Sequence, residues 1–142
     1  MRELSDNPLF SLSEMMAKPK KACFDTNFLI YSVKQNIDFI DQLRKRGFGH
    51  FLIPSSVLNE LETLSQSLRG KEKLAAKITL EIVNSESFTI VETDKKADDS
   101  LLEVCEKEGA LLFTNDRLLI KRARKKGVGV GFIRGFKRIE LY

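Results

Sequence analysis

Two short stretches, Phe24-Asp25-Thr26-Asn27 and Phe113-Thr114-Asn115-Asp116, each close an apolar run with a carboxylate, a hydroxyl and an amide. Asp25 and Asp116 are ordinary helix-cap residues, but the same trio at two strand ends points to more than two unrelated caps. A third acidic pair, Asp98-Asp99, opens a helical pattern just before the second stretch. At about 100° per residue, Asp98 falls within the stripe of Leu101, Leu102 and Cys105, whereas Asp99 points away. An acid on a buried helix face is costly without a partner. Glu60 and Glu62 border opposite sides of another apolar stripe, Val57, Leu58, Leu61, Leu64 and Leu68, and periodicity alone leaves that choice open. Two unit charges about 4 Å apart repel by roughly 4 kcal/mol at a surface-like dielectric. Three or four carboxylates gathered in one cleft must therefore raise each other's pKa or recruit cations.

Oxygen-only, carboxylate-rich ligation suits Mg²⁺ or Mn²⁺. Zinc is disfavoured, because His50 is the only histidine and Cys23 and Cys105 sit where small buried hydrophobes belong. The reaction such a site serves best is attack of a metal-activated water on a phosphodiester, with a second ion about 3.5–4 Å away stabilising the leaving oxygen. A phosphatase using Asp25 as nucleophile would need an acid at Asn27. A receiver domain would need its phosphoacceptor after the third strand, where only Glu92 and Asp94 follow Val91.

These side chains must be positioned by a repeating strand and helix pattern. Residues 22–24 read as a strand buried on both faces, and Phe28 to Val33 as a helix that Thr26 or Asn27 caps. Ile37 to Leu43 is helical, with Gly47 as its stop, and residues 50–53 form a strand broken by Pro54. Ser55 or Ser56 caps the helix bearing Glu60, and a further helix over 71–84 turns Leu74, Ala75, Ile78, Ile82 and Val83 inward. Residues 88–91 are a strand, and Asp94 caps a helix that runs to Gly109. A buried strand over 110–113, a helix to Lys126 and a strand over 128–133 complete the pattern. Four or five strands alternating with helices predict an α/β domain of three layers with a central parallel sheet.

The 142 residues, 42% hydrophobic and 31% charged, are enough for one domain and too few for two of ordinary size. We expect a leader over 1–20 and a domain over 21–142. Two reduced cysteines and the lack of a signal sequence or apolar span predict a cytoplasmic protein that does not enter membranes.

At the quoted residues the sequence resembles the PIN domain family of Mg²⁺- or Mn²⁺-dependent ribonucleases, over roughly residues 20–135. The motifs are Cys23 to Ile30, Val57-Leu58-Asn59-Glu60-Leu61, Ala97-Asp98-Asp99 with Leu101-Leu102, and Phe113 to Asp116. The resemblance implies strand order 3-2-1-4-5 and an acidic quartet of Asp25, Glu60, Asp98 and Asp116, with Asp99 as a substitute metal ligand. It implies that Thr26, Asn27, Thr114 and Asn115 orient ligands or water. Asp25 to Phe28, Tyr31 to Lys34 and the doubled Asp98-Asp99 look closest to the archaeal and eukaryotic branch that processes small-subunit ribosomal RNA. Toxins of toxin-antitoxin pairs share the same acids.

The net charge of +4 suits a polyanion. Lys121, Arg122, Arg124, Lys125 and Lys126, followed by Arg134, Lys137 and Arg138, are candidates for holding an RNA backbone. A basic helix end can also be merely solvated. Catalysis of RNA hydrolysis is the expected function, and a fold that binds RNA without cutting it is the alternative. The family further implies a homodimer, and an antitoxin or ribosome-assembly partner.

Overall fold

A computed structural model describes residues 18–85, 88–135 and 137–141, so most of the expected leader, residues 1–17, lies outside the described residues. Within them, one sheet is built from β1 (Lys20–Phe24), β2 (Phe48–Pro54), β3 (Phe88–Val91), β4 (Leu111–Phe113), β5 (Val130–Arg134) and β6 (Arg138–Leu141). The order is β3-β2-β1-β4-β5-β6, with β1 to β5 parallel and β6 antiparallel to β5. The connecting helices are α1 (Thr26–Lys34), α2 (Phe39–Arg44), α3 (Ser55–Ser67), α4 (Gly70–Ser85), α5 (Ala97–Glu108) and α6 (Arg117–Lys125). The α/β class and the central five-strand order agree with expectation. The sixth strand is an addition: only Ile139 and Leu141 alternate with charged residues there, too short a pattern to read without the hairpin that brings it back onto β5.

Alternation along β1 decides what each helix layer covers. Phe24 meets Phe28 of α1 and Phe39 of α2 on one face, with ring centroids 5.7 and 5.3 Å away. Its neighbour Cys23 lies against Cys105 of α5 on the other face. That contact and burial push the Cys23 thiol well above its ordinary pKa, so it stays protonated and inert. Phe51, Phe88 and Phe113 complete the aromatic cluster around Phe24, at centroid distances of 5.3 to 6.1 Å. The carboxyl end of β1 is therefore clamped just before Asp25.

Several local expectations change. Pro54 and Lys96 occupy the N-cap positions of α3 and α5, neither with a side-chain cap bond. Ser55 instead exchanges hydrogen bonds with the backbone of Thr93, and Asp94 lies before the helix it was expected to cap. In α4 the buried residues are Ala75, Ala76, Thr79 and Val83. Leu74 and Ile78 stay 59% and 37% exposed, because that helix packs along a narrow face of small residues. Gly109 ends α5 at φ 66, the left-handed conformation that glycine adopts without a Cβ penalty.

Candidate active site

Neither Thr26 nor Asn27 caps α1; Asp25 does, its Oδ1 accepting the Phe28 amide at 2.7 Å. Asp116 caps α6 in the same way, with Oδ1 taking the amides of Leu118 and Leu119 at 2.9 and 3.1 Å. Capping and site-building are thus combined in the same carboxylates. The parallel register sets Phe24 beside Phe113, and the Asp25 amide donates to the Phe113 carbonyl at 3.2 Å. One residue further on, the Thr114 hydroxyl donates to Asp25 Oδ2. It also accepts the Asp116 amide at 3.0 Å. One hydroxyl therefore ties the two acid-bearing turns together.

A cleft of about 380 Å³ opens past these strand ends. Asp25, Glu60, Asp98 and Asp116 all line it, delivered by β1, α3, α5 and the turn after β4. Thr26 and Asn27 also border it. Behind it, Ser56 and Ser100 share a hydroxyl–hydroxyl hydrogen bond of 2.6 Å, which joins α3 to α5 and so fixes the elements that carry Glu60 and Asp98. Ala97, just before Asp98, sits at φ 49, a strained conformation for an L residue, and its carbonyl accepts the Ser100 hydroxyl at 2.6 Å. Sequence reasoning passed over Ser56, Asn59 and Lys96, which line the same cleft. A helix start and a lysine beside Asp98 were the available signals, and neither singles out a cleft.

The electrostatics of the cleft are those of crowded acids. Burial raises the Asp25 pKa from 3.8 to about 6, the bonds from Thr114 and the Phe28 amide oppose that, and the charges of Asp116 and Asp98 add to it. Asp98 is also raised, first by burial and then by Asp116. Among the described residues, no three His, Cys, Asp or Glu side chains already converge as a cation cage. The four acids border the cleft without closing on one point. Glu60 is exposed and Asp98 half-buried, which leaves those two rotamer freedom to converge, whereas Asp116 is exposed but held by its cap bonds.

Asp99 turns elsewhere. It pairs with Arg122 at 2.6 Å, and that bond holds its carboxyl below the usual range. It does not line the cleft, which separates it from Asp98 as their helical phase demands. Asn115 does not line it either: its amide donates to the Ile133 carbonyl at 2.9 Å and accepts the Ile133 amide at 3.0 Å, continuing the β4–β5 ladder by side chain. These bonds hold the turn that carries Asp116.

A family model described as "PIN like domain" matches residues 22–136. The chain belongs to the PIN domain family. Ribonuclease VapC9 of Archaeoglobus fulgidus is 45% identical over 122 residues, covering 86% of this chain and 89% of that protein. Ribonuclease VapC4 of Methanocaldococcus jannaschii is 33% identical, over 83% of this chain and 93% of its own length. Among solved structures, that of the PIN domain endonuclease Utp24 superposes with a TM-score of 0.72 at 28% identity, covering 87% of this chain and 91% of Utp24.

The basic residues of this PIN domain do not form one patch. Arg122 and Lys126 face α5, where Asp99 and Glu106 pair with them at 2.6 and 3.6 Å. Arg138 pairs with Glu140 on β6 at 3.0 Å. Arg124 and Arg134 line a separate hollow with Arg117, which sequence reasoning did not single out. Lys121, Lys125 and Lys137 are exposed. Their linear clustering concealed this division, because a helix turns successive residues to different sides.

Proposed function

We propose that this PIN domain is a divalent-metal-dependent endoribonuclease that hydrolyses RNA phosphodiester bonds. The observation that carries the reading is the convergence of Asp25, Glu60, Asp98 and Asp116, from four separate elements, on one cleft at the carboxyl edge of a parallel sheet. The ribonuclease names of the VapC relatives and the endonuclease title of Utp24 support it. The donor set fits Mg²⁺ or Mn²⁺: carboxylate and amide oxygens, with no thiol or imidazole among the lining residues. When bound, such ions would activate a water and neutralise charge on the reacting phosphate. Asp25, locked by Thr114 and the Phe28 amide, is a fixed ligand of the set. Asp116 is held likewise by its cap bonds, Glu60 and Asp98 complete the set, and Lys96 at the rim offers a positive charge to the incoming phosphate.

Two settings are supported by different relatives. The higher identity belongs to the VapC ribonucleases, which favours a toxin-type role in which a partner protein occludes the cleft. The likeness to Utp24, and to rRNA-processing protein fcf1 of Schizosaccharomyces pombe at 29% identity, favours maturation of ribosomal RNA. Growth arrest on expression that a neighbouring gene relieves would support the first. Accumulation of small-subunit precursor on depletion would support the second.

The central test incubates wild type and Asp25→Asn with RNA in Mn²⁺ or in chelator, read on a denaturing gel. We expect cleavage by wild type in Mn²⁺ alone and none by the variant, with RNA binding retained. Equal cleavage by Asp25→Asn, or in chelator, overturns the proposal.

A further inference from the structure

A second hollow of about 400 Å³ shares Asp25 and Asp116 with the acidic cleft and adds Asn27, Phe28, Tyr31 and Asn115. Tyr31 is 39% exposed, although its helix neighbours Phe28, Leu29 and Ile30 are buried. Asn27 and Tyr31 lie four residues apart, one above the other on the same side of α1. Asn115 also lines a third hollow, of about 420 Å³, together with Arg117, Arg124 and Arg134. Arg117 and Arg124 are seven residues apart and so share one side of α6. Arg134 is held over the Phe132 ring at 5.8 Å.

The sequence of surfaces is therefore acids, then an aromatic ring with amides, then guanidinium groups. The middle hollow offers a phosphate no cation of its own, since its charged lining is Asp25 and Asp116, the carboxylates already given to the metal site. A nucleobase suits it: it is uncharged, its face stacks on an aromatic ring, and its edge matches a side-chain amide. The arginine hollow has the opposite character and suits the phosphates of the next nucleotides.

We propose that the Tyr31 hollow receives one unpaired nucleobase of the RNA beside the linkage being cut. The base lies face-on against Tyr31 with its edge at Asn27, and the following backbone crosses to Arg117 and Arg134. A base inside a duplex cannot enter without leaving its stack, so the substrate class is single-stranded or bulged RNA. The location of the scissile linkage rests on the nuclease reading; the base pocket itself does not.

The test uses the full chain and a single-stranded RNA oligonucleotide containing 2-aminopurine, whose fluorescence falls when it stacks. Binding is titrated in chelator and cleavage is followed separately in Mn²⁺. We expect binding to quench the fluorescence, and Tyr31→Phe to behave as wild type. Tyr31→Ala should weaken binding by about five-fold or more and abolish the quench. Arg117→Ala with Arg134→Ala should weaken binding and flatten its salt dependence, by roughly 0.7 in the log–log slope for each phosphate no longer neutralised, while preserving the quench at saturation. A fully paired duplex should compete poorly. Tyr31→Ala that binds and quenches like wild type, or a duplex that competes equally, overturns the inference even if cleavage proceeds. Binding with a Tyr31-dependent quench but without cleavage keeps the pocket and removes the nuclease reading, and an absence of RNA binding removes both.

Discussion

Each oxygen of Asp25 is committed to the fold, one to the Phe28 amide and the other to Thr114, and the same carboxylate borders the cleft. Thr114 is the economical part of this arrangement, because its hydroxyl gives to Asp25 and takes from the Asp116 amide. Thr114→Val keeps the shape and removes both bonds. We expect it to cost about 1–3 kcal/mol of stability, seen as a lower denaturation midpoint. Metal-dependent cleavage should fall by about ten- to hundred-fold, as when a group orienting a ligand is removed. If cleavage is unchanged, Thr114 is only a structural residue.

At the scale of elements, the site depends on how closely β4 approaches β5. Phe113 pairs with Gly131, and a Cβ at Gly131 would collide with the Phe113 ring. Gly131→Ala should therefore destabilise by about 1–3 kcal/mol, measured by chemical denaturation. It should also lower activity, because the strand that shifts carries Thr114 one residue on. This close approach was invisible in the sequence, where Gly131 is one of several glycines in Gly127-Val128-Gly129-Val130-Gly131. What could be read there was local. The two trios at strand ends were legible because strand and helix periodicities meet at them, and Asp98 was distinguished from Asp99 because helical phase is a property of neighbouring residues. The bonds of Asn115 to Ile133 were not legible, because they join segments far apart in the chain. The ion pairs of the α6 basic cluster with α5 were not legible because they depend on how two helices pack, and β6 was not read as a strand because its partner is supplied by a hairpin rather than by its own pattern.

For the molecule as a whole, the burial of Asp25 makes stability a function of pH. Asp25 has a folded pKa of about 6 against 3.8, so between those values the folded state binds more protons than the unfolded chain. The contribution is complete below about pH 4 and is lost as pH rises through about 6, amounting to at most roughly 3 kcal/mol without metal. On the proposed function, divalent ions compete with that proton. Thermal denaturation should show Mn²⁺ raising Tm clearly at pH 8 and little at pH 5, and Asp25→Asn should remove the difference. An equal Mn²⁺ effect at both pH values would show that Asp25 is not a ligand.

The double employment of Asp25 and Asp116 as helix caps has a further outcome. Asparagine ends a helix as well as aspartate does, so one exchange at either place leaves the architecture standing while withdrawing the charge. On the proposed function, hydrolysis is then lost without misfolding. A lineage built on this scaffold has a one-step route from cutting a strand to merely gripping it, and inactive descendants would keep their shape and their hold on RNA.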